Sequence, residues 1–124
     1  FMKKHLTIFC DIDGVLLKNG NKFTSQGWST NVIDENIKAI KDLKKTHEVY
    51  LIITTSRPES ERPYLEKIFS ENNIFVDNYI MGLPHAKRVL INDYSNTNSY
   101  PTSISINIER DIGNLSKLLN QFYD

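Results

Sequence analysis

Cysteine is almost missing from this chain. Cys10 is the single one in 124 residues, so no intrachain disulfide can staple the fold and its core has to hold it. Its place inside an apolar run reads as packing, and such usage fits a reducing compartment. An excess of one charge sign is lacking too: 15 basic residues balance 15 acidic ones. Without a basic stripe, composition gives no support for a nucleic-acid track or a membrane-surface face. No apolar run approaches the ~20 residues that a bilayer span needs. Lys3-Lys4 is followed too soon by Asp11 and Asp13 for a secretory leader. Repeats and low-complexity tracts are absent, and the Asn-rich stretches are short and read as loops. What is present is a soluble globular balance, 40% apolar and 24% charged. The length suits one domain with a real core. Phe1 stands before Met2, so the native start is expected at Met2 and a single domain over 2–124. A cytoplasmic location is expected.

Leu6 to Cys10 reads as a first strand. Asn19-Gly20, between Leu16-Leu17 and Phe23, is a hairpin signal and predicts a short flap. Val32, Ile33, Ile37, Ile40 and Leu43 recur at helical spacing, with Thr30 or Asn31 as the expected cap and Asp34 and Glu35 in the first turn. Val49 to Ile53 is a nearly continuous apolar run, which predicts a strand covered on both faces. Pro58 and Glu59 open a second helix carrying Leu65, Ile68 and Phe69. Short strands are expected near Phe75 to Ile80, at Val89 to Ile91 and at Ser103 to Ile108. A last amphipathic helix runs from Ile112 to Phe122. The order predicts an α/β fold with a mostly parallel sheet and helices on both faces, a three-layer Rossmann-like arrangement.

Asp11-Ile12-Asp13-Gly14 closes the first strand. Two carboxylates at a strand mouth suit Mg²⁺, which prefers hard oxygen ligands, and one of them is able to attack phosphorus. The plainer reading is a turn, since Asp and Gly are ordinary turn residues. Thr54 and Thr55 end the second core strand, and Asn92 and Asp93 end a later one. All three groups fall at strand ends, where open α/β sheets bind ligands. Unrelated turn residues would not gather there.

In this order the residues resemble the haloacid dehalogenase-like phosphatases. The match spans Leu6 to Ser95: Asp11-Ile12-Asp13-Gly14-Val15, then Thr54-Thr55-Ser56-Arg57-Pro58, then Ala86-Lys87-Arg88, then Ile91-Asn92-Asp93. The resemblance implies Asp11 as nucleophile and Asp13 as general acid and then base. It implies Thr55 as donor to a phosphoryl oxygen and Lys87 as the site cation, with Arg88 the adjacent alternative. Asp11, the main-chain carbonyl of Asp13 and Asp93 would hold Mg²⁺. Gly14, Ser56, Arg57, His85, Arg88 and Asn92 are expected near the substrate, with Trp28 and Tyr94 as further candidates for selecting it. The plainer readings are that Thr55 caps the following helix and that Lys87 is a solvated loop charge.

Two departures bear on the expectation. Many relatives carry a second acid near the last motif, whereas Asn92, Asn96 and Asn98 stand here. The intervals from Asp13 to Thr55 and from Thr55 to Lys87 are used up by predicted elements, so no cap domain is expected. The chain is thus similar to capless members that act on sugars in bacterial capsule and lipopolysaccharide synthesis. The expected activity is hydrolysis of a small phosphorylated sugar or sugar-like metabolite through an aspartyl phosphate. A homo-oligomer is expected to wall the open site, with Phe23, Trp28 and Tyr94 as candidate contacts. The alternatives are a phosphatase for nucleic-acid ends and a catalytically weak metal- or phosphate-binding subunit.

Overall fold

The computed structural model describes residues 4–20, 27–97 and 102–121. Three parallel strands form the sheet: β1 (Lys4–Asp11), β2 (His47–Thr54) and β3 (Asn78–Ile80), in the order β1-β2-β3. Asp11 is in register with Thr54, and Thr54 with Ile80, so the carboxyl ends of all three strands lie level. Two helices make the crossovers, α1 (Asp34–Thr46) and α2 (Arg62–Glu71), the latter entered through a 3-10 turn at Glu59–Glu61. A short α3 (Leu115–Asn120) packs on α1. This is an α/β fold compatible with a Rossmann-like architecture.

One apolar cluster joins Cys10, Leu51 and Ile53 of the sheet to Ile37 and Ile40 of α1, Leu65 and Phe69 of α2, and Leu119 of α3. Right-handed crossovers that step in one direction, from β1 to β2 to β3, put both helices on one side. The other face is therefore open among the described residues. Phe9 is 51% exposed, Tyr50 48% and Ile80 41%. The expectation that Val49 to Ile53 is covered on both faces is corrected, since burial alternates along β2. Residues 89–93 and 103–108 carry no strand either. Val89 and Ile91 are almost fully exposed, and neither pairs with an edge of the three-stranded sheet.

Local chemistry explains the element ends. Helix α1 starts after Ile33, later than the expected cap at Thr30 or Asn31. Asn31 and Ile33 are held in an antiparallel ribbon instead: Lys18 N–H donates to the Asn31 carbonyl at 2.7 Å and Ile33 N–H to the Leu16 carbonyl at 2.8 Å. Helix α2 ends with Asn73 at φ 56°, the left-handed region that Asn tolerates. Asn73 N–H then donates to Ser70 and Ile74 N–H to Phe69, which satisfies the last carbonyls, while Ile74 itself joins the core. Helix α3 is shorter than the expected Ile112 to Phe122; Ile112 is exposed and precedes the helix, and Phe122 lies outside the described residues.

One buried polar residue binds the layers. Asn36 donates to the Val15 carbonyl at 2.7 Å and to the Ile112 carbonyl at 2.9 Å, and accepts the first N–H of α3, from Leu115, at 3.0 Å. It thereby fixes both the turn after β1 and the approach to α3 on α1.

Candidate active site

After β1 the chain coils tightly, because the Ile12 carbonyl accepts N–H bonds from Val15, Leu16 and Leu17. This turn carries Asp13 next to Asp11 at the strand mouth. Gly14 follows at φ 88°, and a Cβ there would press on Arg110 Cγ at 3.2 Å. Its carbonyl accepts Asp111 N–H at 2.9 Å. The backbone hand favours glycine here, and a larger residue would also have to push the Arg110 side chain aside. Leu16 and Lys18 then pair with Ile33 and Asn31, so the expected tight hairpin at Asn19-Gly20 is corrected: the partners of this limb come from after residue 30. Phe23 and the flap tip lie outside the described residues.

An open cavity of about 750 Å³ stands over this edge. Asp11 and Asp13 line it from β1, Asn19, Gly20 and Trp28 from the flap base, and Ser56 from the loop after β2. His85, Ala86, Arg88 and Arg110 line it as well. A smaller cavity of about 370 Å³ beside α2, lined by Phe69, Phe75 and Tyr79 among others, has no cation in its wall.

Asp11 receives Ile12 N–H on its own carboxylate at 2.9 Å. Desolvation raises its carboxyl above the ordinary aspartate value, and the like charge of Asp13 adds to the rise. The Ile12 bond, Arg88 and His85 oppose it. Water still reaches the residue, so the shift belongs to a carboxyl on a cavity wall and not to a core charge. Beneath it, the Cys10 thiol is buried and pushed up to about 12, first by desolvation and then by Asp11, which leaves it an inert packing group.

Asp13 is gripped by Arg57. Nη2 lies 2.7 Å from Oδ1 and Nε 3.1 Å from Oδ2, a two-point fork. The Arg57 side chain is only 1% exposed, while that of Asp13 is 16% exposed. Arg57 also donates to the Ser29 carbonyl at 2.8 Å, stacks 5.2 Å from the Trp28 ring and lies 3.8 Å from Glu61. Its backbone is braced as well: Arg57 N–H donates to Thr55 Oγ1 at 3.0 Å and Gly82 N–H to the Arg57 carbonyl at 2.8 Å.

The expected site residues divide accordingly. Asp11, Asp13, Ser56, His85 and Arg88 meet in the cavity wall, and Gly14 is buried behind it. Thr55 is fully buried and serves as acceptor in its own turn. Arg57 sits behind Asp13 and is not among the lining residues. Of the two adjacent cations, Arg88 faces the cavity and Lys87 does not, although Lys87 is the residue the resemblance favours. The Arg88 guanidinium also donates to the Pro84 and Ala86 carbonyls, which holds its loop together. Asn92 and Asp93 are exposed outside the cavity wall. There the Asp93 carbonyl accepts the Thr102 hydroxyl at 2.7 Å. Tyr94 is exposed and does not line the cavity. Among the described residues no three His, Cys, Asp or Glu side chains converge as a metal cage.

Arg110 is the cavity residue that the sequence reading lacks. It lies in a loop with no periodicity, beside the left-handed Asp111 at φ 66° and against Gly14. No helix among the described residues is long and apolar enough to cross a membrane. The chain matches no family model, no curated protein and no solved structure.

Proposed function

We propose that the chain is an Mg²⁺-dependent phosphomonoester hydrolase for a small phosphorylated sugar or sugar-like metabolite. The observation that carries this reading is that Asp11 and Asp13, at the carboxyl end of β1, line one open cavity with His85 and Arg88. An Asp11 oxygen forms the bond to phosphorus as the ester P–O bond breaks, and the departing oxygen takes a proton from Asp13. Asp13, now a carboxylate, accepts a proton from the water that breaks the acyl phosphate and frees Asp11. Arg88 and Arg110 offer positive charge to the equatorial oxygens, and His85 offers a ring N–H. The fork from Arg57 uses one lone pair on each Asp13 oxygen, and a carboxylate has about four such sites. The remaining lone pairs leave Asp13 open to the water's proton in the second step, and the first step draws on Asp13 in its protonated form.

The hard oxygen donors on this wall fit Mg²⁺. The Asp11 carboxylate and the Asp13 main-chain carbonyl would hold it, and when bound it supplies charge against the phosphoryl oxygens. Asp93, the third ligand in the resemblance, belongs to the proposal only if residues 89–93 carry it to the cavity. The geometry predicts a larger loss of Mg²⁺ affinity in D11N than in D93N by calorimetry; equal losses would place Asp93 beside Asp11. The position of Asp93 also favours the second reading, a metal- or phosphate-binding subunit with little turnover. We propose as well that the face of Phe9, Tyr50 and Ile80 is covered in the assembled protein, which would complete a three-layer arrangement.

A phosphate-release screen with Mg²⁺ tests the activity. A small sugar phosphate should exceed a 3′-phosphorylated oligonucleotide in kcat/KM. The reverse order would make nucleic-acid ends the substrate. Mg²⁺ binding without release from any ester would favour the binding subunit.

A further inference from the structure

Arg57 is the most deeply buried charge among the described residues, yet it touches three parts of the site at once. Its fork holds both oxygens of Asp13. Its Nη2 also donates to the Ser29 carbonyl, and its face lies against the Trp28 ring. Trp28 and Ser29 belong to the returning limb of the flap ribbon, whose pairing with Leu16 and Lys18 leads back to the Asp13 turn. A planar fork imposes direction as well as charge, and lysine cannot reproduce it. Burial excludes the competing water that loosens exposed pairs.

We infer that Arg57 is a positioning residue that fixes the Asp13 carboxylate and the Trp28–Ser29 limb in a single arrangement. The inference rests on the acid–base role proposed for Asp13, but its geometric half does not need turnover. Arg57 contacts no substrate in this arrangement; it acts through Asp13. Displacing a reacting group by about 1 Å costs on the order of 100-fold in rate. R57K should therefore lower kcat for p-nitrophenyl phosphate roughly 30- to 100-fold while KM moves less than about threefold. If Arg57 works through Asp13, R57K adds nothing to D13N, because the group it positions no longer transfers protons.

Trp28 is the single tryptophan, so its fluorescence reports the other half directly. R57K, R57Q and D13N should each raise acrylamide quenching of Trp28, since each breaks one link in the same chain of contacts. D13N keeps this readout available should both Arg57 variants fail to fold. Quenching unchanged in the variants that fold would overturn the inference. So would an R57K loss of equal size in the wild-type and D13N backgrounds, or a loss confined to KM. Absence of turnover in the wild type would overturn the phosphatase reading alone and leave the quenching result to decide this one.

Discussion

Asp11 carries a charge that the folded chain holds at a cost. Its carboxyl is raised by desolvation and by Asp13, so the ionised form is less favoured in the native state than in the unfolded one. For a raised aspartate the cost is present at neutral pH and fades as pH falls through the folded value toward the unfolded one. D11N removes that charge. Its Tm at pH 7 without divalent cation should match or exceed that of the wild type, and the gap should close on acidification. A Tm well below the wild type at pH 7 would contradict this.

Among the elements, Asn36 ties α1 to the turn after β1 and to α3 through its side-chain amide. Three backbone partners depend on it, and one of them is the first N–H of α3. Orphaning buried backbone groups costs about 1–3 kcal/mol each before relaxation. N36A should lose about 2 kcal/mol or more in urea unfolding; a loss under about 0.5 kcal/mol would show that water replaces the side chain. The position was not legible in the sequence because Asn36 looks like any polar residue between Glu35 and Ile37. Its partners are distant in the chain and come together only in the fold. By contrast β1, α1, β2 and α2 were legible, since each rests on a local period or an apolar run. The Asp11-Ile12-Asp13-Gly14 turn was legible as well, because strand-end chemistry is local. Arg110 was not: it lies beside Asp111 and against Gly14 in a loop with no periodicity. The choice of Arg88 over Lys87 was equally out of reach, because the alternation expected after Val89 belongs to a strand that the described residues do not form.

For the whole molecule, the sheet face that the described residues leave open bears on assembly. Phe9, Tyr50 and Ile80 expose apolar surface on strands whose other face is core. A formal net charge of zero gives little repulsion between copies. Self-association is the predicted outcome, and a second copy is the proposed partner. Light scattering at micromolar concentration should return a multiple of 14.4 kDa, and F9S should lower it. A monomer mass for the wild type would contradict this. Function of the whole chain is tested most directly by one comparison, phosphate release from p-nitrophenyl phosphate with Mg²⁺ by the wild type and by D11N. The account predicts turnover by the wild type and none above background by a folded D11N. Turnover by D11N at the wild-type rate would contradict it.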